Sequence, residues 1–448
     1  MSYDLVVKGG LVVTAEESFA ADVAVAGERI AAIGAGLAGE RELDARGLYV
    51  LPGAIDGHIH LTDPTFPPYA PQTADSFASA SVAAAFGGVT TLVDFAQPAV
   101  GQRLVEELER RRSDADGQTI LDYALHLNLR DADPARLAEI PEVFARGVPT
   151  FKLFMAYDGY RLPDIAIFRA MEAVAAQDGL TIVHAEDDDV IAELGARLAA
   201  ERKTGPRWLR EMCPSVAEGE AVHRSISLAH LACARLLVFH ISCAEGVREV
   251  GLAKERGQAV LGEATSQHLV LTDALLQDDG FHAQSLAVRP PIRDAEHQAA
   301  LWRGLADGAL DIVSTDHCPR HALETHHPPG ASGIEVRLAL VHTFGVRTGL
   351  VDLHRWVEVC CTAPAEVFGL PSKGRLRPGH DADIVLFDPE RQMTLSPETL
   401  HSPIDFTSYE GVTVSGWPVT TISRGEVIVE GGELLARPGR GRFLERGF

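Results

Sequence analysis

The chain has 448 residues, 46% of them hydrophobic, and a formal net charge of −23. That length exceeds one ordinary domain and suits a large barrel plus a smaller module, while the acidity excludes a nucleic-acid partner, because phosphate binding needs a basic surface. No uninterrupted apolar run is long enough to span a membrane, and Met1-Ser2-Tyr3-Asp4 lacks the charged start and apolar core of a secretory leader, so a cytoplasmic protein is expected.

In chain order, residues 3–52 carry short apolar segments punctuated by Gly and polar residues, which predicts antiparallel strands. From 53 to 375, strand patterns alternate with helical ones, the signature of a (β/α)8 TIM barrel of the α/β class. The predicted barrel strands are 54–60, 90–96, 121–129, 150–156, 180–186, 236–242, 259–264 and 310–316, with helices including 76–86, 165–177 and 217–234. Residues 376–437 return to strand texture at 383–387, 418–422 and 426–430. Together with 1–52 they are expected to form one β-sandwich domain, since chain termini often lie close in space, and 438–448 is a tail. Six cysteines (Cys213, Cys233, Cys243, Cys318, Cys360, Cys361) form no paired framework or CxxC motif, which fits reduced thiols.

Five predicted strands carry a cation-binding side chain at or near their carboxyl ends, which in a parallel barrel converge on one mouth. His58 and His60, at i and i+2 in Asp56-Gly57-His58-Ile59-His60, face one side of a strand and can reach one ion, although an HxH pair alone also arises by chance. Lys152, one of only five lysines, lies in Thr150-Phe151-Lys152-Leu153-Phe154. A buried ammonium shifts toward neutrality, and a neutral amine can take up carbon dioxide as a carbamate whose two oxygens bridge two cations. The other reading of Lys152 is an ion pair with a carboxylate from elsewhere in the chain. His184 and His240 end two consecutive apolar runs, as hydrogen-bonded core residues or as a second cation site. Asp316, in Val313-Ser314-Thr315-Asp316-His317, can hold a metal and handle a proton. Jointly these residues predict a binuclear site of imidazole and carboxylate ligands without thiolate, which suits Zn²⁺, with Mn²⁺, Co²⁺ or Fe²⁺ as alternatives.

With these residues in this order, the chain resembles the amidohydrolase superfamily over nearly its whole length, and within it the cyclic amidases: hydantoinases and dihydropyrimidinases. More specific likenesses are Ala83-Ala84-Ala85-Phe86-Gly87-Gly88-Val89-Thr90-Thr91, Phe151-Lys152-Leu153-Phe154-Met155-Ala156-Tyr157, Thr315-Asp316-His317-Cys318-Pro319, Gly379-His380-Asp381-Ala382-Asp383-Ile384-Val385 and Gly416-Trp417-Pro418-Val419-Thr420. The resemblance implies His58 and His60 on one metal, His184 and His240 on the other, carboxylated Lys152 (N6-carboxylysine) as the bridge, and Asp316 as ligand and proton shuttle. It implies a metal-activated hydroxide that attacks a ring carbonyl, with the Tyr157 phenol hydrogen-bonding the developing oxyanion. The product is then an N-carbamoyl amino acid or similar ring-opened acid, no redox or nucleotide cofactor is needed, and the protein is a homotetramer or homodimer.

Three positions depart from related patterns. Dihydroorotases carry an arginine two places after the second histidine, where this chain has Thr62. Hydantoinases typically show a serine before the Pro-Pro pair, where this chain has Arg289, and an asparagine in the loop after the last strand, where it has Pro329-Gly330. Arg289 either supplies a donor for a substrate carboxylate or extra carbonyl, or points away into a surface ion pair. An allantoinase-like enzyme with an Arg289-selected substrate is the alternative, and a non-catalytic dihydropyrimidinase-like scaffold is disfavoured because every metal ligand is retained. The segments around 66–69 and 162–163 are expected to shape side-chain specificity, and His321, His326 and His327 lie in the mouth loop.

Overall fold

The computed structural model describes residues 2–62, 73–277, 280–319 and 330–448. Five strands open the chain: β1 (Tyr3–Val13), β2 (Ser18–Ala26), β3 (Arg29–Gly34), β4 (Gly39–Asp44) and β5 (Tyr49–Pro52). Eight more follow as β6 (Ala54–Asp56), β7 (Val89–Ala96), β8 (Asp122–Asn128), β9 (Thr150–Phe154), β10 (Leu180–His184), β11 (Arg235–Val238), β12 (Val260–Thr265) and β13 (Ile312–Ser314). These pair in parallel in sequential order, β6 through β13, with helices between them. The predicted helices are present as Phe77–Phe86, capped by the Ser76 hydroxyl, Asp164–Ala175 and Ser215–Leu231.

The first and last barrel strands meet just beyond their carboxyl ends. Ile59 bridges His317 in parallel, and the His60 N–H donates to the His317 carbonyl at 2.8 Å. Two buried side chains reinforce this seam. The Asp56 carboxylate accepts from the Thr315 hydroxyl at 2.7 Å, and the Arg337 guanidinium donates to the Ile55 carbonyl at 2.8 Å and to the Val313 carbonyl. Every residue of β7, β8, β9 and β10 is buried, as expected of parallel strands covered on both faces. Ile55, Val93, Ala124, Ile182, Leu237 and Ile312 fill the barrel interior.

After the barrel come β14 (Ile384–Thr394), β15 (Thr413–Ser423), β16 (Glu426–Glu430) and β17 (Glu433–Leu434). The terminal segments join through β5, which lies antiparallel to β14 and parallel to β1, so hydrogen bonding runs through all nine strands. Their shared core draws Leu5, Val7, Val23 and Val50 from one end of the chain and Ile384, Leu386, Ile422 and Val427 from the other. The buried Lys373 ammonium ties this module to the barrel, pairing with Asp122 at 2.6 Å, Asp381 at 3.0 Å and Asp383 at 2.9 Å. The tail returns to the amino-terminal end of the barrel, where the Leu444 N–H donates to the Tyr123 carbonyl at 2.7 Å and Arg446 donates to Thr150 Oγ1 at 2.9 Å. No helix among the described residues is long and apolar enough to cross a membrane, and the six cysteines are free thiols.

Candidate metal centre

The ladders end earlier than the apolar runs that predict them, and several site residues sit just past the last paired position. His58 and His60 follow β6, Tyr157 follows β9, His240 follows β11 and Asp316 follows β13. Three of these adopt left-handed backbone, with φ of 78° at Tyr157, 39° at His240 and 49° at Asp316. Non-glycine residues rarely occupy that region, and where they do the surrounding fold holds them there, often at functional sites. The turn lifts each side chain out of strand register and into the mouth.

The structure brings the predicted residues together. Nε2 of His58 and Nε2 of His60 each lie 3.2 Å from Asp316 Oδ1, and His184 Nδ1 lies 2.8 Å from His240 Nε2. The His58 and His240 ring centroids are 5.5 Å apart, so the two groups form one cluster. His58 Nδ1 sits 2.8 Å from Glu263 Oε2. A carboxylate only accepts, so in the neutral ring Nδ1 carries the hydrogen and Nε2 presents a lone pair. That lone pair faces Asp316 Oδ1, also an acceptor, and a cation is the natural partner for both.

Lys152 is buried beside them with no hydrogen-bond partner for Nζ, which lies over the Phe239 ring at 4.3 Å and the Phe154 ring at 5.1 Å. Burial pushes this amine down to about 7, against the pull of the Glu263 and Asp316 carboxylates. An ion-paired lysine has a direct carboxylate contact, and Lys152 Nζ has none among the described residues. Burial raises Asp316, but His58, His60 and Lys152 outweigh it and hold the carboxyl at about 2. Burial lowers His184 and His240, which keeps both rings neutral, the form that ligates metal. The donor set therefore fits two hard or borderline divalent cations, and the unpartnered Lys152 amine fits the carbamate.

Residues that sequence reasoning missed orient the site. Glu263 holds His58 and also accepts from the His240 N–H at 2.9 Å. Glu186, the last residue of the predicted strand 180–186, lies 2.7 Å from His184 Nε2. Arg289 points inward: its guanidinium carbon is 4.6 Å from the Tyr157 ring centroid, and Nη2 is 3.2 Å from Glu186 Oε2. It is therefore neither a surface pair nor an unengaged cation. Burial raises Glu186, and Arg289 with His184 overcomes that to hold it at about 2. The Tyr157 hydroxyl reaches the Arg289 carbonyl at 3.4 Å. A carboxylate inside the apolar run 259–264 was the available signal for Glu263. Pro329, His321, His326, His327 and 66–69 lie outside the described residues.

Carboxylates that hold a ligating histidine set its tautomer, and their loss typically costs about 10- to 100-fold in metal affinity. Glu263→Gln is expected to weaken divalent-cation binding by that margin, read by chelator competition, with the fold retained.

A sequential eight-stranded barrel with imidazoles, a carboxylate and a buried amine at its mouth defines a class of metal-dependent hydrolases. The model of the amidohydrolase family matches residues 49–428, and this chain belongs to that family. It is similar to the D-hydantoinase of Streptomyces coelicolor, 39% identical over 464 aligned residues that cover 100% of this chain and 98% of the relative. Among solved structures, D-hydantoinase from a Bacillus sp. AR9 superposes with a TM-score of 0.95 at 36% identity, covering 99% of each chain. Dihydropyrimidinase from Brevibacillus agri NCHU1002 also gives 0.95 at 36% identity, covering 99% of this chain and 98% of its own.

Proposed function

We propose that this protein is a binuclear-metal hydrolase that opens the amide bond of a cyclic ureide or imide of the hydantoin or dihydropyrimidine type. The observation that carries this reading is the convergence of His58 Nε2 and His60 Nε2 on Asp316 Oδ1 beside an unpartnered, buried Lys152 amine. The full-length likeness to hydantoinases supports the substrate class. His58 and His60 would hold one cation and His184 and His240 the other, with carboxylated Lys152 as a shared ligand. The cations are Zn²⁺, with Mn²⁺, Co²⁺ or Fe²⁺ as substitutes. The carbamate forms when the neutral Nζ lone pair attacks carbon dioxide; an N–C bond forms, one C=O electron pair moves to oxygen and the nitrogen releases a proton. Divalent cations held there would supply Lewis-acid polarisation of the scissile carbonyl and a lowered pKa for the attacking water.

The chain's own groups do the rest. Asp316 ligates, takes the proton released by the attacking water and delivers it to the departing ring nitrogen, so that a C–O bond forms as the C–N bond breaks. Burial raises the Tyr157 phenol well above its usual range, which keeps it protonated and able to donate to the developing oxyanion. Tyr157→Phe is expected to lower kcat by about 100-fold, the usual cost of one oxyanion donor, measured at saturating substrate. Pro329 and Arg289 are assigned to substrate contact, Arg289 through its backbone carbonyl beside the phenol. Because the Glu186 carboxylate, 3.2 Å from Nη2, already balances the guanidinium charge, neutral rings are the preferred substrates.

The test is ring opening by the Zn²⁺- or Mn²⁺-loaded enzyme in bicarbonate, across dihydrouracil, 5-substituted hydantoins, allantoin, dihydroorotate, succinimide and simple lactams. Turnover of hydantoin or dihydrouracil is expected. Activity confined to dihydroorotate overturns the neutral-ring assignment and gives Arg289 the selecting role. Residence in the cytoplasm and assembly as a homotetramer or homodimer belong to the same proposal and rest on the family likeness; sedimentation checks the assembly. The domain division is likewise 1–52 with 376–437, then 53–375 and a tail at 438–448.

A further inference from the structure

Asn128 ends β8 and is fully buried, yet neither Nδ2 nor Oδ1 of its carboxamide has a hydrogen-bond partner. Buried amides in native proteins are nearly always satisfied, so one with both ends unmatched calls for a partner. Its register partner on the adjacent parallel strand is Lys152, whose amine is also unmatched. Parallel neighbours in register lie about 4.8 Å apart and point to the same face. That face is the barrel interior. His126, two residues before Asn128, has its ring centroid 6.1 Å from that of Phe239, which in turn lies against Lys152 Nζ.

A carbamate on Lys152 is an anion and needs donors. The aromatic faces of Phe239 and Phe154 beside Nζ are electron-rich and repel it. His126 spends its nitrogens on Thr150 Oγ1 at 2.6 Å and the Gly57 carbonyl at 2.9 Å, His58 spends Nδ1 on Glu263, and His240, whose Nδ1 has no hydrogen-bond partner, is assigned above to a cation. The Asn128 amide is an uncommitted donor in strand register with Lys152. We propose that Asn128 is a positioning residue for carboxylated Lys152, its Nδ2–H donating to a carbamate oxygen. It thereby favours carbamate formation and orients the carbamate. The proposal rests on the carbamate reading of Lys152 given above.

The test compares the full-length enzyme with Asn128→Leu, which fills the space without a donor, and Asn128→Asp, which keeps the shape but adds an anionic acceptor. Each protein is stripped of metal and reloaded with Zn²⁺ over a range of ¹³C-bicarbonate. Zn²⁺ uptake and the ¹³C carbamate signal are read, with Lys152→Ala as the control lacking the amine. The bicarbonate needed for half-maximal uptake is expected to rise by about 10- to 100-fold in Asn128→Leu, the usual range for losing a group that orients a ligand, and further in Asn128→Asp. The melting temperature of stripped Asn128→Leu is expected to stay level or rise, because an unsatisfied buried amide has been removed; a merely structural asparagine would lower it. If Asn128→Leu does not fold, Asn128→Ala takes its place. A wild-type bicarbonate response in the variants overturns the proposal, as does an effect confined to KM, which would assign the amide to substrate. Absence of a carbamate signal in the unmodified enzyme, with uptake independent of bicarbonate, overturns the Lys152 reading itself and the proposal with it.

Discussion

Lys152→Ala is expected to reduce bound divalent metal to one ion or fewer per subunit and to abolish ring opening. The alanine has no amine to carboxylate, so the anion between the two imidazole groups is lost. Metal ions stabilise transition-state charge by several kcal/mol. A loss of about 5 kcal/mol corresponds to a fall in kcat/KM of roughly 10⁴-fold. Metal analysis and single-turnover kinetics on the same sample check both parts. A pH dependence accompanies this. Burial lowers the Lys152 amine to about 7, and only the neutral amine attacks carbon dioxide. Carbon-dioxide-dependent reconstitution of metal-free enzyme should therefore rise with pH through that value and level off above it, where deprotonation is complete. Below it the ammonium dominates and reconstitution fails. Full activity and two metals in Lys152→Ala would remove the bridge from the mechanism.

Asp316→Asn is expected to lower kcat by about 10³-fold, within the range for a lost general acid–base group. Asp316 Oδ1 stands 3.2 Å from both His58 Nε2 and His60 Nε2, and His58, His60 and Lys152 hold it at about 2 against burial, so at neutral pH it is ionised and able to take a proton. The amide is nearly isosteric but cannot take up the proton that the reaction releases. A group that acts in the transition state changes kcat more than KM, so KM is expected to stay nearly level. Metal content measured alongside separates lost ligation from lost proton transfer. An active Asn variant with a full metal complement would reassign the shuttle.

Much of this site was legible because imidazole, amine and carboxylate stand out inside apolar strands. His58-Ile59-His60 and Lys152 announce themselves against Leu, Phe and Val neighbours, and period-two geometry puts the histidine pair on one face. All eight barrel strands were legible for the same reason, since strands covered on both sides read as continuous apolar runs. What escaped depends on contacts between distant segments. Glu263 reaches His58 from 205 residues further along the chain, and no local pattern reports that approach. The inward turn of Arg289 depends on Glu186, more than a hundred residues earlier. Asn128 sits in an unremarkable Leu127-Asn128-Leu129 run, and its importance appears only when strand register sets it beside Lys152. The ladder joining both terminal segments through β5 and β14 is similarly non-local.

The seam between the first and last barrel strands has a consequence for the life history of the protein. His58 and His60 are made early, but Asp316 is added only after about seven-tenths of the chain has been made, and Ile59 cannot bridge His317 before then. Contacts of such long sequence separation form late, because loop closure must precede them. His184 and His240, at the ends of adjacent strands, need no such closure. A growing chain therefore carries half a catalytic centre at most, and competence arrives as a single late event when the ring of strands shuts.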